Sequence, residues 1–144
     1  MDDLRTAARV SDIVVTCTSS TAPLLFVGDL SPGAFVAAIG ADSEDKQELD
    51  AALLCTTTVV TDVTEQCATI GDLHHAIAAG AMSLDRVHAE LGEIVAGRKA
   101  GRSSAEEIIV FDSTGMALQD VAAAAAVYEA AVRTGRGAVV ALSG

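Results

Sequence analysis

Ala34-Phe35-Val36-Ala37-Ala38-Ile39-Gly40 is the stretch on which the fold of this chain turns. It is apolar almost without interruption, whereas a strand with one wet face alternates apolar and polar side chains. A short continuous run of this kind predicts a strand buried on both faces, the kind found in a parallel sheet covered by helices. Leu30-Ser31-Pro32-Gly33 leads into it as a turn. Working outward, residues 12–18 and 57–62 have the same character, rich in Val, Ile and Thr, and residues 107–111 form a fourth such run.

Helical patterns separate these strands. Asp45-Lys46-Gln47-Glu48 reads as a capping box, with Leu49, Ala52 and Leu53 as the apolar stripe behind it. A second helix is expected over 65–78, stopping at Gly80. A third is expected after Ser83, where Leu84, Val87, Leu91, Ile94 and Val95 recur at helical spacing as far as Gly97. The last and longest is expected over 114–133, closed by Gly135. Residues 4–10 read as the end of a helix feeding the first strand. This alternation predicts an α/β domain with a doubly wound, mostly parallel, Rossmann-like sheet flanked by helices.

Composition narrows the function. Hydrophobic residues make up 51% of the 144 positions, yet only 3% are aromatic and none is Trp. The core must therefore be built from Ala, Val, Ile and Leu. Nine basic against 20 acidic residues give a net charge of -11, which excludes nucleic acid and anionic membrane surfaces as partners. No run approaches the roughly 18 apolar residues of a membrane span. The start, Met1-Asp2-Asp3-Leu4-Arg5, is too acidic for a signal peptide. Cys17, Cys55 and Cys67 are an odd number, so free thiols in the cytoplasm are the simplest expectation.

Ligands of open α/β sheets lie beyond the carboxyl ends of the strands. Thr18, Asp42, Asp62 and Ser113 stand at or just past such ends. A carboxylate such as Asp42 could hold or deprotonate a substrate amine there. Lys46, expected one helical turn on, could meet a phosphate or a ribose hydroxyl, and Gly40 would allow close backbone approach by a ligand. Structural readings stand beside these. Asp42, Ser113 and Thr114 could be caps, Asp62 a turn former, and Lys46 the i+4 partner of Asp50, a contact worth about 0.3–0.5 kcal/mol. His74, His75 and Cys67 match no common zinc spacing, so no metal site is expected. The Gly-x-Gly-x-x-Gly turn of a dinucleotide fold is absent: Gly135-Arg136-Gly137 follows a helix, and Val140 stands where the third glycine belongs.

Four blocks, in order, resemble the ornithine cyclodeaminase/mu-crystallin family. They are Val14-Val15-Thr16-Cys17-Thr18; Ala38-Ile39-Gly40-Ala41-Asp42 with Lys46, Glu48 and Leu49; Glu90-Leu91-Gly92-Glu93-Ile94 with Gly97-Arg98 and Gly101-Arg102; and Phe111-Asp112-Ser113-Thr114-Gly115 with Gln119-Asp120-Val121-Ala122. The resemblance implies NAD or NADP as cofactor and a small amino acid or cyclic imine as substrate. It implies Asp42 as the catalytic carboxylate, with Thr18, Ile39, Gly40, Ala41, Lys46 and Ser113 contacting the cofactor and Thr114 facing the substrate. Asp112, where ornithine-specific members carry Lys, together with Thr114 points towards the alanine dehydrogenase and imine reductase branch. Residues 1–113 would be the carboxyl-terminal half of the dinucleotide domain. Residues 114–144 would form a helix and tail returning towards a substrate and dimerisation domain. The substrate-binding Lys, Arg and Glu of that domain have no counterparts here. The chain alone is therefore expected to be inactive, and a homodimer or a partner-dependent assembly is expected from the unpaired strand at 12–18.

Overall fold

A computed structural model describes residues 3–141. The chain divides into two compact units, residues 1–114 and 115–144. In the first unit, α1 (Leu4–Arg9) feeds β1 (Ile13–Thr16), as the sequence predicts. The expected strands follow as β3 (Phe35–Ala38), β5 (Thr58–Thr61) and β7 (Ile109–Asp112). Together with a two-residue strand, β6 (Ala89–Glu90), they form one sheet in the order β1-β3-β7-β5-β6. Every pairing in it is parallel. Parallel pairing sends all carboxyl ends to one edge, which is the edge that matters for function.

One face of this sheet is fully covered. Val36, Ala38, Val59 and Val110 pack against Leu53 and Leu54 of α2 (Ala51–Cys55), Cys67 of α3 (Thr64–Ile70), and Leu73 and Ala76 of α4 (Asp72–Ala78). The core is indeed aliphatic. Leu73 is completely buried within it. Leu73→Ala is expected to lower stability by about 2–5 kcal/mol, read from the urea midpoint at constant m-value. The other face departs from the expected burial on both sides. Ile13 and Val15 are 66% and 58% exposed on the edge strand. Phe35, Ile109 and Phe111 line an apolar groove of about 220 Å³. Apolar residues on this face read as buried in sequence because hydrophobicity reports what a surface tolerates and not what covers it.

Three helical expectations need correction. The stretch after Asp45 is no helix: residues 42–46 form a loop, and Gln47–Leu49 become β4, parallel to β2 (Thr21–Leu25) in a separate two-stranded sheet. The true cap is Asp50, whose carboxylate accepts the Ala52 N–H at 3.0 Å to start α2. The helix expected over 65–78 is broken at Gly71 into α3 and α4. The periodic run after Ser83 is a 3₁₀ turn (Leu84–Arg86), then β6, then α5 (Leu91–Val95). Pairing wins over periodicity there, because the His88 N–H donates to the Val59 carbonyl at 2.8 Å and draws the chain to the sheet edge. β2 was hidden in a segment that read as loop.

The second unit is α6 (Ala117–Thr134), none of whose residues is buried. Gly135 ends it in the left-handed conformation, φ 63°, as its glycine predicts.

Candidate functional site

At the carboxyl edge the backbone ladder runs slightly beyond the strands. The Ile39 N–H donates to the Thr16 carbonyl at 3.0 Å, and the Ser113 N–H to the Ala38 carbonyl at 2.9 Å. Direct pairing then stops between β1 and β3. The next amides turn to a side chain: Glu48 Oε1 accepts the Thr18 N–H at 2.6 Å, and Oε2 accepts the Gly40 N–H at 3.0 Å. Glu48 is fully buried. A Cβ on residue 40 would lie 2.3–2.5 Å from the atoms of that carboxyl group. Gly40 is thus required by a protein neighbour, a reason independent of the ligand approach that the sequence suggests.

Asp42 lies past the end of β3 in the open loop, its side chain 55% exposed. Lys46 Nζ donates to Asp42 Oδ1 at 2.5 Å. This hydrogen bond is the main reason that the Asp42 carboxyl is held below its usual range. The partner of Lys46 is therefore Asp42 and not Asp50, and no helix brings the two together. The loop is anchored from below by His75, whose Nε2 lies 2.8 Å from the Lys46 carbonyl oxygen.

On the far side of the same edge, Ser113 Oγ donates to Asp62 Oδ2 at 2.8 Å. With its proton committed, the Ser113 hydroxyl can only accept in a further hydrogen bond. Cys67 Sγ donates to Asp62 Oδ1 at 3.2 Å, and burial pushes its thiol well above the usual range. Thr114 is half-buried, its hydroxyl 4.0 Å from the Cys67 sulfur. Thr18 and Ile39 are exposed, whereas the Ala41 side chain is buried, which leaves only main-chain atoms of Ala41 for a ligand. The structure thus joins Asp42 to Lys46 directly, Thr18 to Gly40 through Glu48, and Ser113 to Asp62.

Sequence reasoning missed Asp72 beneath this edge and gave Asp112 no structural role. Asp72 Oδ1 accepts the Glu48 and Leu49 N–H groups, both at 2.8 Å. Asp112 in turn accepts the Leu73 N–H at 2.8 Å and the Asp72 N–H at 3.3 Å, so it caps α4. A Cβ on Gly71 would stand 2.7 Å from Asp112 Oδ2, which explains the glycine at the extended residue that separates α3 from α4. Asp112 is fully buried and faces α4. Burial raises Asp72 to about 6 and Asp112 to about 8. The available signal was charge in apolar company, as in Glu48-Leu49 and Asp72-Leu73.

A parallel sheet with helices on it and polar side chains gathered at its carboxyl edge defines a nucleotide-binding type of α/β domain. Residues 1–135 match the model of the ornithine cyclodeaminase/mu-crystallin family, and the chain belongs to that family. It is 45% identical over 121 residues to an alanine dehydrogenase of Archaeoglobus fulgidus, covering 84% of this chain and 38% of that protein. Identity to the iminosuccinate reductase of Paracoccus denitrificans is 45% over 125 residues, covering 87% of this chain and 38% of that protein. The Δ1-pyrroline-2-carboxylate reductase of Thermococcus litoralis, solved with NADH and L-proline, superposes with a TM-score of 0.89 at 32% identity. That alignment covers 97% of this chain and 44% of the solved one. The chain therefore spans about 38% of the length of the two curated relatives. No helix among the described residues is long and apolar enough to cross a membrane.

Proposed function

We propose that this chain is the carboxyl-terminal part of the NAD(P)-binding domain of a cytoplasmic enzyme that oxidises or reduces small amino acids or cyclic imines, and that it is inactive alone. The observation that carries this reading is the exposed, Lys46-paired Asp42 on the same strand edge as Thr18 and Ser113. When bound, the nicotinamide supplies or accepts the hydride. The residues here fit such a group: Ile39, 41% exposed, offers an apolar contact at the strand end, and Thr18 and Ser113 offer hydroxyls. Lys46 keeps Asp42 ionised, so the carboxylate can accept a proton from a substrate amine as the carbon loses hydride. Thr114 faces the substrate, and residues 115–144 lead back to the remainder of the enzyme. The glycine-rich turn that would hold the pyrophosphate is absent from the sequence, and with it most of the cofactor affinity.

A chimaera tests this directly. This chain replaces the matching segment of the Archaeoglobus fulgidus alanine dehydrogenase, and NADH formation with alanine is followed by absorbance. Turnover by the chimaera, with none from the isolated chain, is the expected result. A folded chimaera without turnover would overturn the reading.

A second reading is favoured by the exposed Ile13 and Val15 on the edge strand: the isolated chain assembles with a second copy through β1. Val15→Lys is then expected to shift the sedimenting species towards monomer. Identical sedimentation of the two chains as monomers would dispose of this reading.

A further inference from the structure

We infer that Glu48 is a positioning residue that sets the spacing of the two loops at the candidate cofactor edge, an inference that rests on the dinucleotide-site reading above. Alternate N–H groups of a strand face opposite neighbours, so the next bond of a regular β1–β3 ladder would run from the Thr18 N–H to the Ile39 carbonyl, and the Gly40 N–H would face β7. Here the ladder from β3 to β1 ends with Ile39 N–H on the Thr16 carbonyl. The Thr18 and Gly40 amides instead share one carboxylate, with one oxygen each. A carboxylate is an acceptor at both oxygens, so it is suited to receive two converging N–H donors. It acts as a spacer that parts β1 from β3 while holding both loops at fixed separation.

The spacer is itself held. Asp72 grips the main-chain N–H groups of Glu48 and Leu49, and α4, which carries Asp72, is seated by Asp112 at the end of β7. Thr18 after β1, Gly40 after β3 and Ser113 after β7 are therefore tied to one buried framework. Among the described residues no hydrogen bond joins Glu48 to Asp42 or Lys46, so it acts on the site through the backbone of residues 18 and 40.

Glu48→Gln tests this, because an amide offers one acceptor where two donors converge and turns an N–H₂ towards the other. Amide hydrogen exchange of the isolated chain is read residue by residue by NMR. The expected result is faster exchange at Thr18 or Gly40, by about ten- to a hundredfold, the factor for one lost charge-assisted hydrogen bond. The Val36 and Val110 amides should keep their protection. Gly40→Ala attacks the same bridge from the other side by placing a methyl group against the carboxylate, and should expose the same two amides. Glu48→Asp, which keeps the charge, should lie between wild type and Glu48→Gln. Unchanged exchange at Thr18 and Gly40 in both Glu48→Gln and Gly40→Ala, or uniform loss across the sheet in both, would overturn the inference. NADH is then titrated into wild type and Glu48→Gln while the Thr18, Gly40 and Asp42 amide shifts are followed. Where the wild-type amides shift, smaller perturbation in Glu48→Gln is expected, and shifts of equal, non-zero size in the two would also overturn it. An absence of shifts in wild type would count against cofactor binding by this chain alone, whereas the exchange data judge the bridge separately.

Discussion

Asp42→Asn in the chimaera is expected to lower kcat/KM for alanine by about 10²–10⁴-fold, the range for a positioned general acid or base. The amide keeps the size and one acceptor oxygen, so Lys46 Nζ retains a partner, but the group can no longer take a proton. NADH affinity should change little, since in the proposed role the carboxylate acts on the substrate amine and not on the cofactor. That split distinguishes catalysis from the capping role that the sequence alone also allows for Asp42. A cap residue would give a lowered melting temperature with kcat/KM nearly intact. A fall in kcat/KM below tenfold would remove Asp42 from the reaction. The hydrogen bond from Lys46 holds the Asp42 carboxyl below its usual range, so this carboxyl is ionised throughout the neutral region. Any loss of activity there as pH falls must therefore come from another group.

The strands of this domain were legible because burial leaves a compositional mark. Phe35–Ala38 and Thr58–Thr61 read as strands from their apolar and β-branched residues, and the alternation of strand and helix implied the parallel order. Strand ends were therefore legible too, and with them Thr18, Asp42 and Ser113 as candidates. The local events that depend on tertiary partners were not. Asp45-Lys46-Gln47-Glu48 has the spacing of a capping box, but the Glu48 side chain is recruited inwards by two amides just past the ends of β1 and β3. Once it is buried, residues 47–49 pair with β2 and the helix must wait for Asp50. Gly71 lies inside a run that reads as one helix, and only the carboxylate of Asp112, forty-one positions later, shows why α4 starts afresh there, since it accepts the Asp72 and Leu73 N–H groups and leaves no room for a Cβ at 71. Glu48 read as the acid of a capping box and not as a bridge between loops, because a motif records which residue types occur together and says nothing of which atom meets which.

The buried carboxylates should give this domain an unusual dependence of stability on pH. Asp112 is raised from 3.8 to about 8 and Asp72 from 3.8 to about 6, in both cases chiefly by burial, and each also raises itself against a neighbouring acid. Raised folded-state values mean that the native chain binds more protons than the unfolded chain over this interval. Stability contributed by the protonated forms is full below about pH 4 and is lost as pH rises, through about 6 for Asp72 and about 8 for Asp112. Each carboxyl contributes a limiting slope of about 1.4 kcal/mol per pH unit within its window. At the acid end the sign reverses, because Glu107, held down to about 2 chiefly by the Thr58 hydroxyl, contributes stability that is lost as pH falls. The unfolding free energy from urea titrations should therefore peak on the acid side of neutrality and fall from about pH 5 to 8. Asp112→Asn, which cannot ionise, is expected to flatten that fall even though the amide matches its two N–H donors poorly and lowers the curve as a whole. An unchanged slope in Asp112→Asn would mean that Asp112 is already ionised across this range, its charge carried by the amides of Asp72 and Leu73. Its role would then be that of a charged cap on α4, and the framework beneath the site would owe its rigidity to charge–amide bonds and not to a retained proton.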